Sequence, residues 1–128
     1  MKKILIIEDH SDMRELLCWQ IELMGFMPIT AIQGKEGVEK ALSEKPELII
    51  LDIMMPEMDG WEVARQIRAY DEMKTTPILA ATALFRDADL SACTAAGCNG
   101  YIVKPFTFQE LQVKVSEMIP STSTTFPL

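Results

Sequence analysis

Basic residues are in short supply in this chain. Its 128 residues carry 12 Lys and Arg against 19 Asp and Glu, a formal net charge of −7. Neutralising a nucleic-acid backbone needs a basic face, so the balance argues against nucleic acid as a direct partner. There is one histidine, His10, and the three cysteines (Cys18, Cys93, Cys98) have no metal-ligand spacing. A zinc site is therefore not expected, and the thiols read as small hydrophobes in a reducing cytosol. No apolar run approaches the roughly 20 residues of a membrane span, and nothing resembles a signal peptide. The sequence holds no internal repeat. What remains is a length suited to one domain that buries roughly two-thirds of its unfolded surface. Met1 directly before the first apolar run suggests a natural start, with no leader and, after the last helix, no output domain.

Apolar runs and helical patterns alternate along the chain. Ile4–Ile7 reads as a strand, and Ser11–Met24 as a helix with Met13, Leu16, Leu17, Ile21 and Met24 on one face and Gly25 as its stop. Phe26–Ala31 is a second strand. Gly34–Glu44 carries Val38, Ala41 and Leu42 at helical spacing and ends before Pro46. The uninterrupted Leu48–Leu51 run predicts a strand covered on both faces, as a central parallel strand is. Asp59 as N-cap, Glu62 three residues on, and a Met58–Val63 staple predict the start of a third helix. Pro77–Ala81 and Gly100–Val103 read as strands around an Ala-rich helix, Asp87–Ala96, stopped by Gly97. A second capping box, Thr107 with Glu110, flanked by Phe106 and Leu111, opens a last helix to about Ile119. Five strand–helix units in strict alternation predict an α/β, doubly wound parallel sheet. Residues 1–119 form the domain, and the polar tail 120–128 is expected to be mobile.

The chemistry sits where these strands end. Glu8 and Asp9 follow the first run, Asp52 the third, Thr82 the fourth and Lys104 the fifth. In an open parallel sheet the carboxyl ends of the strands meet in one crevice. Three carboxylates within about 4 Å repel by roughly 4 kcal/mol per pair at an effective dielectric near 20, so the cluster holds a proton or binds a cation. Oxygen-only ligands on a partly open site favour Mg²⁺, with Mn²⁺ possible, over Ca²⁺. Asp52, closing a buried strand, is placed as a nucleophile toward a phosphoryl donor. Lys104 supplies a cation, and the Thr82 hydroxyl a hydrogen bond, to the phosphoryl oxygens.

These residues carry a resemblance that runs from about Lys2 to Ile119. Glu8-Asp9, Asp52 within Leu-Asp-Ile-Met-Met-Pro-Glu-Met-Asp-Gly, Thr82-Ala83, Tyr101 and Lys104-Pro105-Phe106 resemble a response-regulator receiver domain of two-component signalling. The resemblance implies a flavodoxin-like sheet of order 2-1-3-4-5 flanked by five helices. It implies a cytoplasmic, single-domain phosphoprotein, not an enzyme in its own right, whose Asp52 accepts a phosphoryl group from a histidine kinase or phosphotransfer protein. Mg²⁺ would be held by Asp9, Asp52 and the backbone carbonyl of Met54, with Glu8 acting through water. Thr82 would move toward the phosphoryl group and Tyr101 would turn inward, so that the helix 4–strand 5–helix 5 surface is read by a downstream protein. A cis bond before Pro105 is typical of the family. Apolar Met54 and Leu84, where some relatives carry polar groups, predict a comparatively long-lived phosphoryl state.

Three aromatic and polar positions call for separate reading. Trp19, off the stripe of the first helix, is either a partly covered flank or a docking contact for the phosphodonor. Trp61 reads as packing close to Asp52, and His10 as a loop residue on the rim. A flavodoxin-type protein would need a Gly- and Ser/Thr-rich phosphate cradle in place of Glu-Asp-His-Ser-Asp. An aspartate-nucleophile phosphatase would need an acid where Met54 stands. The remaining alternative is a receiver-like interaction module that works without phosphorylation.

Overall fold

The structure, a computed structural model, describes residues 1–84 and 86–119. The tail reading for 120–128 lies outside the described residues. The elements in chain order are β1 (Lys3–Ile7), α1 (Ser11–Leu23), β2 (Met27–Ala31), α2 (Gly34–Glu44), β3 (Leu48–Asp52) and α3 (Gly60–Arg68). A one-turn 3₁₀ helix (Asp71–Met73) leads to β4 (Ile78–Thr82), α4 (Asp87–Ala96), β5 (Gly100–Val103) and α5 (Phe108–Met118). The five strands are all parallel, in the order β2-β1-β3-β4-β5, so the expected doubly wound sheet is present. The short 3₁₀ turn had no signal in the sequence pattern.

Strand periodicity explains how one sheet supports two cores. Leu5, Ile7, Ile49, Leu51, Ile78 and Ala80 face one way and meet α2, α3 and α4. Ile4, Ile6, Leu48, Ile50, Leu79 and Ala81 face the other way and meet α1 and α5. Each fully buried Leu or Ile stabilises the fold by roughly 1.5–3 kcal/mol relative to exposure, and every residue of β3 and β4 is buried. Cys93 and Cys98 lie in the first of these cores as free thiols. Burial and the neighbouring Cys93 push Cys98 up to about 12, which keeps it a neutral thiol.

Helix α1 departs from its predicted stripe. Leu17 and Ile21 are buried as expected, but Leu16 is exposed and Gln20 is buried instead. The α1 cap also differs: His10, read as a plain rim residue, is the N-cap, its Nδ1 accepting from the Met13 N–H at 3.4 Å. At α3, Asp59 caps as predicted, accepting from the Glu62 N–H at 2.9 Å. The reciprocal half of that box is missing, because the Glu62 carboxylate accepts from Arg65 and Gln66. At α5 both halves of the box between Thr107 and Glu110 are made.

Candidate functional site

The cleft at the carboxyl end of the sheet is set by backbone bonds that continue the ladders past the strands. The Glu8 N–H donates to the Ala31 carbonyl at 3.0 Å, Ile53 to Ala81 at 3.2 Å, and Lys104 to Thr82 at 2.8 Å. The loop after β1 is held by the Arg14 guanidinium, which donates to the Glu8 and Asp9 carbonyls at 3.0 and 3.3 Å. Sequence reading missed Arg14, because a side chain that grips backbone carbonyls leaves no partner residue to look for. Past β3 the chain folds tightly against α3: the Gly60 N–H donates to the Ile53 carbonyl at 2.8 Å. A Cβ at Gly60 would sit 2.6 Å from both the Asp52 carbonyl oxygen and the Ile53 Cα. Only glycine permits this approach, which fixes the backbone beneath Asp52.

Side chains from three strand ends converge here. One carboxylate oxygen from each of Glu8, Asp9 and Asp52 lies within 4.8 Å of the others. Glu8 is 2% exposed and Asp52 5%, whereas Asp9 stands on the open rim. The Lys104 ammonium lies between the two buried acids, 3.2 Å from Glu8 Oε1 and 3.4 Å from Asp52 Oδ1. The Lys104–Pro105 peptide is cis. Asp52 Oδ1 also accepts from the Met54 N–H at 3.2 Å, and Glu8 Oε2 from the His10 N–H at 3.1 Å. Desolvation, then the negative charge of Glu8, push the Asp52 carboxyl up to about 6, with Lys104 and the Met54 N–H pulling the other way.

The donor set fits a hard divalent cation. It is all carboxylate oxygen, with neither thiolate nor imidazole among the clustered ligand atoms, and it opens on a cleft of about 560 Å³ with room for waters. The cleft is also lined by Met54 and Ala83, and by Met13 and Leu16, apolar residues of α1 that the acid-centred reading did not select.

Thr82 and Tyr101 are placed apart. Thr82, 1% exposed, ends β4, and its Oγ1 accepts from the Leu84 N–H at 2.9 Å. Tyr101, on the edge strand β5, is 39% exposed, its ring turned toward α5. Trp61 packs on the core and donates to the Cys93 sulfur at 3.3 Å, as the packing reading expected. Trp19 is 59% exposed, more open than a partly covered flank. Among the described residues no helix is long and apolar enough to cross a membrane.

Residues 4–116 match the family model of the response regulator receiver domain. The chain is 38% identical over 118 residues to the alkaline phosphatase synthesis transcriptional regulatory protein PhoP of Bacillus subtilis, covering 92% of this chain and 48% of that protein. It is 39% identical over 119 residues to the response regulator ArlR of Staphylococcus saprophyticus, covering 93% and 53%. The chain thus spans about half the length of these curated relatives. Among solved structures, the Vibrio cholerae chemotaxis protein CheY4 superposes with a TM-score of 0.89 at 30% identity, covering 92% of this chain and 98% of that one. The receiver domain of a Pseudomonas aeruginosa sensor histidine kinase, with a magnesium ion coordinated in its active-site cleft, gives 0.86 at 30% identity, covering 92% and 97%.

Proposed function

The chain belongs to the family of response regulator receiver domains, signalling modules that accept phosphoryl groups from histidine kinases, and from that premise we propose that it takes its phosphoryl group on Asp52. The observation that carries the assignment is the Asp52 carboxylate itself. It is buried at the end of a central strand, raised in pKa by its surroundings, and faced by Lys104 across an open cleft.

The roles divide by geometry. Asp52 Oδ1 is engaged by Lys104 and the Met54 N–H, and Oδ2 accepts no hydrogen bond from a described residue, which leaves Oδ2 to attack phosphorus. In that step an Oδ–P bond forms, the P–N bond of a phosphohistidine breaks, and the leaving imidazole takes up a proton. Lys104 moves from the carboxylates onto the phosphoryl oxygens, and Thr82 gives up its bond to Leu84 to donate to one of them. Asp9, Asp52, the Met54 carbonyl and, through water, Glu8 are the groups that would hold Mg²⁺ or Mn²⁺. When bound, the cation screens the repulsion between the carboxylate and the incoming phosphoryl oxygens.

We further propose a cytoplasmic location. The exposed Trp19, on the helix that borders the cleft, suits docking of the histidine phosphodonor. The switched output is the face of α4, β5 and α5, read by a downstream protein through the coupled Thr82 and Tyr101 movement. Met54, with an exposed apolar side chain on the cleft, and Leu84 are poor orienters of a hydrolytic water, so the phosphoryl state is long-lived. A phosphoryl loss rate unchanged when both are made polar refutes that last point.

Intact mass after incubation with acetyl phosphate tests the assignment. A single phosphoryl adduct is expected in the wild type with Mg²⁺, and none without Mg²⁺ or in Asp52→Asn. Binding of Mg²⁺ with no adduct would mean strict dependence on the protein donor. Absence of both adduct and metal binding would move a phosphorylation-independent interaction module into first place.

A further inference from the structure

Lys114 has two acidic neighbours on its own helix. It sits on α5 one turn after Glu110, the favoured orientation for an i,i+4 pair, and three residues before Glu117. Yet among the described residues it forms no ion pair with either. Glu110 Oε1 accepts from the Thr107 N–H at 2.8 Å in the capping box. The Lys114 ammonium lies instead over the Tyr101 ring, 5.7 Å from its centroid. On the other side of this contact, the Tyr101 hydroxyl makes no hydrogen bond to a described residue. Tyr101, Val113 and Lys114 together line a cleft of about 490 Å³ between β5 and α5.

We propose that Lys114 is a positioning residue for Tyr101: its ammonium holds the ring outward against α5, so that Tyr101 turns inward only by breaking this contact. The proposal deepens the phosphoacceptor reading above and rests on it for the inward turn. An exposed contact of this kind shifts an equilibrium roughly twofold to fivefold. That is small enough for the incoming phosphoryl charge to override and large enough to keep the resting ring outward.

The test uses the full chain without any phosphodonor. Three-bond couplings about the Tyr101 Cα–Cβ bond report its rotamer populations, with Tyr70 as the internal control. In Lys114→Met, which keeps the apolar stem and removes the charge, the inward-to-outward ratio is expected to rise roughly twofold to fivefold. Lys114→Arg is expected to stay at the wild-type ratio, since a guanidinium also stacks on the ring. An unchanged ratio in Lys114→Met overturns the proposal. So does an Arg variant that shifts as far as Met, because a retained charge would then fail to hold the ring. Failure of the phosphoacceptor reading shows separately, as a missing mass adduct on the wild type with acetyl phosphate and Mg²⁺.

Discussion

Replacing Asp52 by asparagine should stabilise the metal-free protein at neutral pH, by an amount that depends on pH. In the fold, burial and Glu8 raise the carboxyl from 3.8 to about 6. A carboxyl with a raised folded pKa binds its proton more tightly in the folded state than in the unfolded one. Its ionisation therefore costs nothing extra below pH 3.8. Stability declines as pH climbs from about 4 through 6, and the full cost is present above that. A difference of about two pK units corresponds to roughly 3 kcal/mol. Asparagine keeps the size and removes the titration, although Lys104 then keeps only Glu8 as a carboxylate partner. Urea denaturation in a chelator, from pH 4.5 to 8, should show the gap between the two proteins widening by about 2 kcal/mol and flattening above pH 7. Saturating Mg²⁺ should then recover the wild type by about 2.7 kcal/mol at a hundredfold excess over its Kd, and the asparagine variant by less. Stability curves that stay parallel across that pH range would refute the reasoning, since the carboxyl would then feel neither burial nor Glu8.

Three further substitutions separate the parts of the site. Lys104→Met leaves Glu8 and Asp52 buried without their cation; it should cost about 3 kcal/mol in chemical denaturation at pH 7.5 and slow phosphoryl uptake from acetyl phosphate roughly a hundredfold. Gly60→Ala forces a Cβ against the Asp52 carbonyl; it should cost about 1–3 kcal/mol and displace the Asp52 and Ile53 amide resonances, and an unperturbed spectrum would show the loop to be slack. Thr107→Ala should cost about 1 kcal/mol in thermal or urea melts through the lost cap, while uptake of the phosphoryl group on Asp52 stays at the wild-type rate.

The layout of the sheet and the acid cluster were legible because their signals are local. The Leu48–Leu51 run announces a strand covered on both faces, and Thr107 with Glu110 marks a helix start to the residue. Strand ends in an open parallel sheet share one crevice, so Glu8, Asp9, Asp52 and Lys104 could be brought together on paper. What escaped depends on tertiary placement. Leu16 obeys the α1 stripe but opens onto the cleft, while Gln20 is buried. Arg14 acts on carbonyls, which no residue pattern reveals. The half-made box at Glu62 failed because Arg65 and Gln66, one turn along the helix, compete for the same carboxylate.

The bond from Lys104 to Glu8 joins residues 96 positions apart. It ties the loop after the first strand to the end of the last, across three intervening ladders. No fragment lacking β5 holds the ammonium, and no partly assembled sheet presents the acceptor beside its cation. On the proposed phosphoacceptor reading, efficient phosphoryl uptake is thereby withheld from the nascent or partly unfolded chain, and goes fastest in a molecule whose sheet is assembled from its first strand to its last.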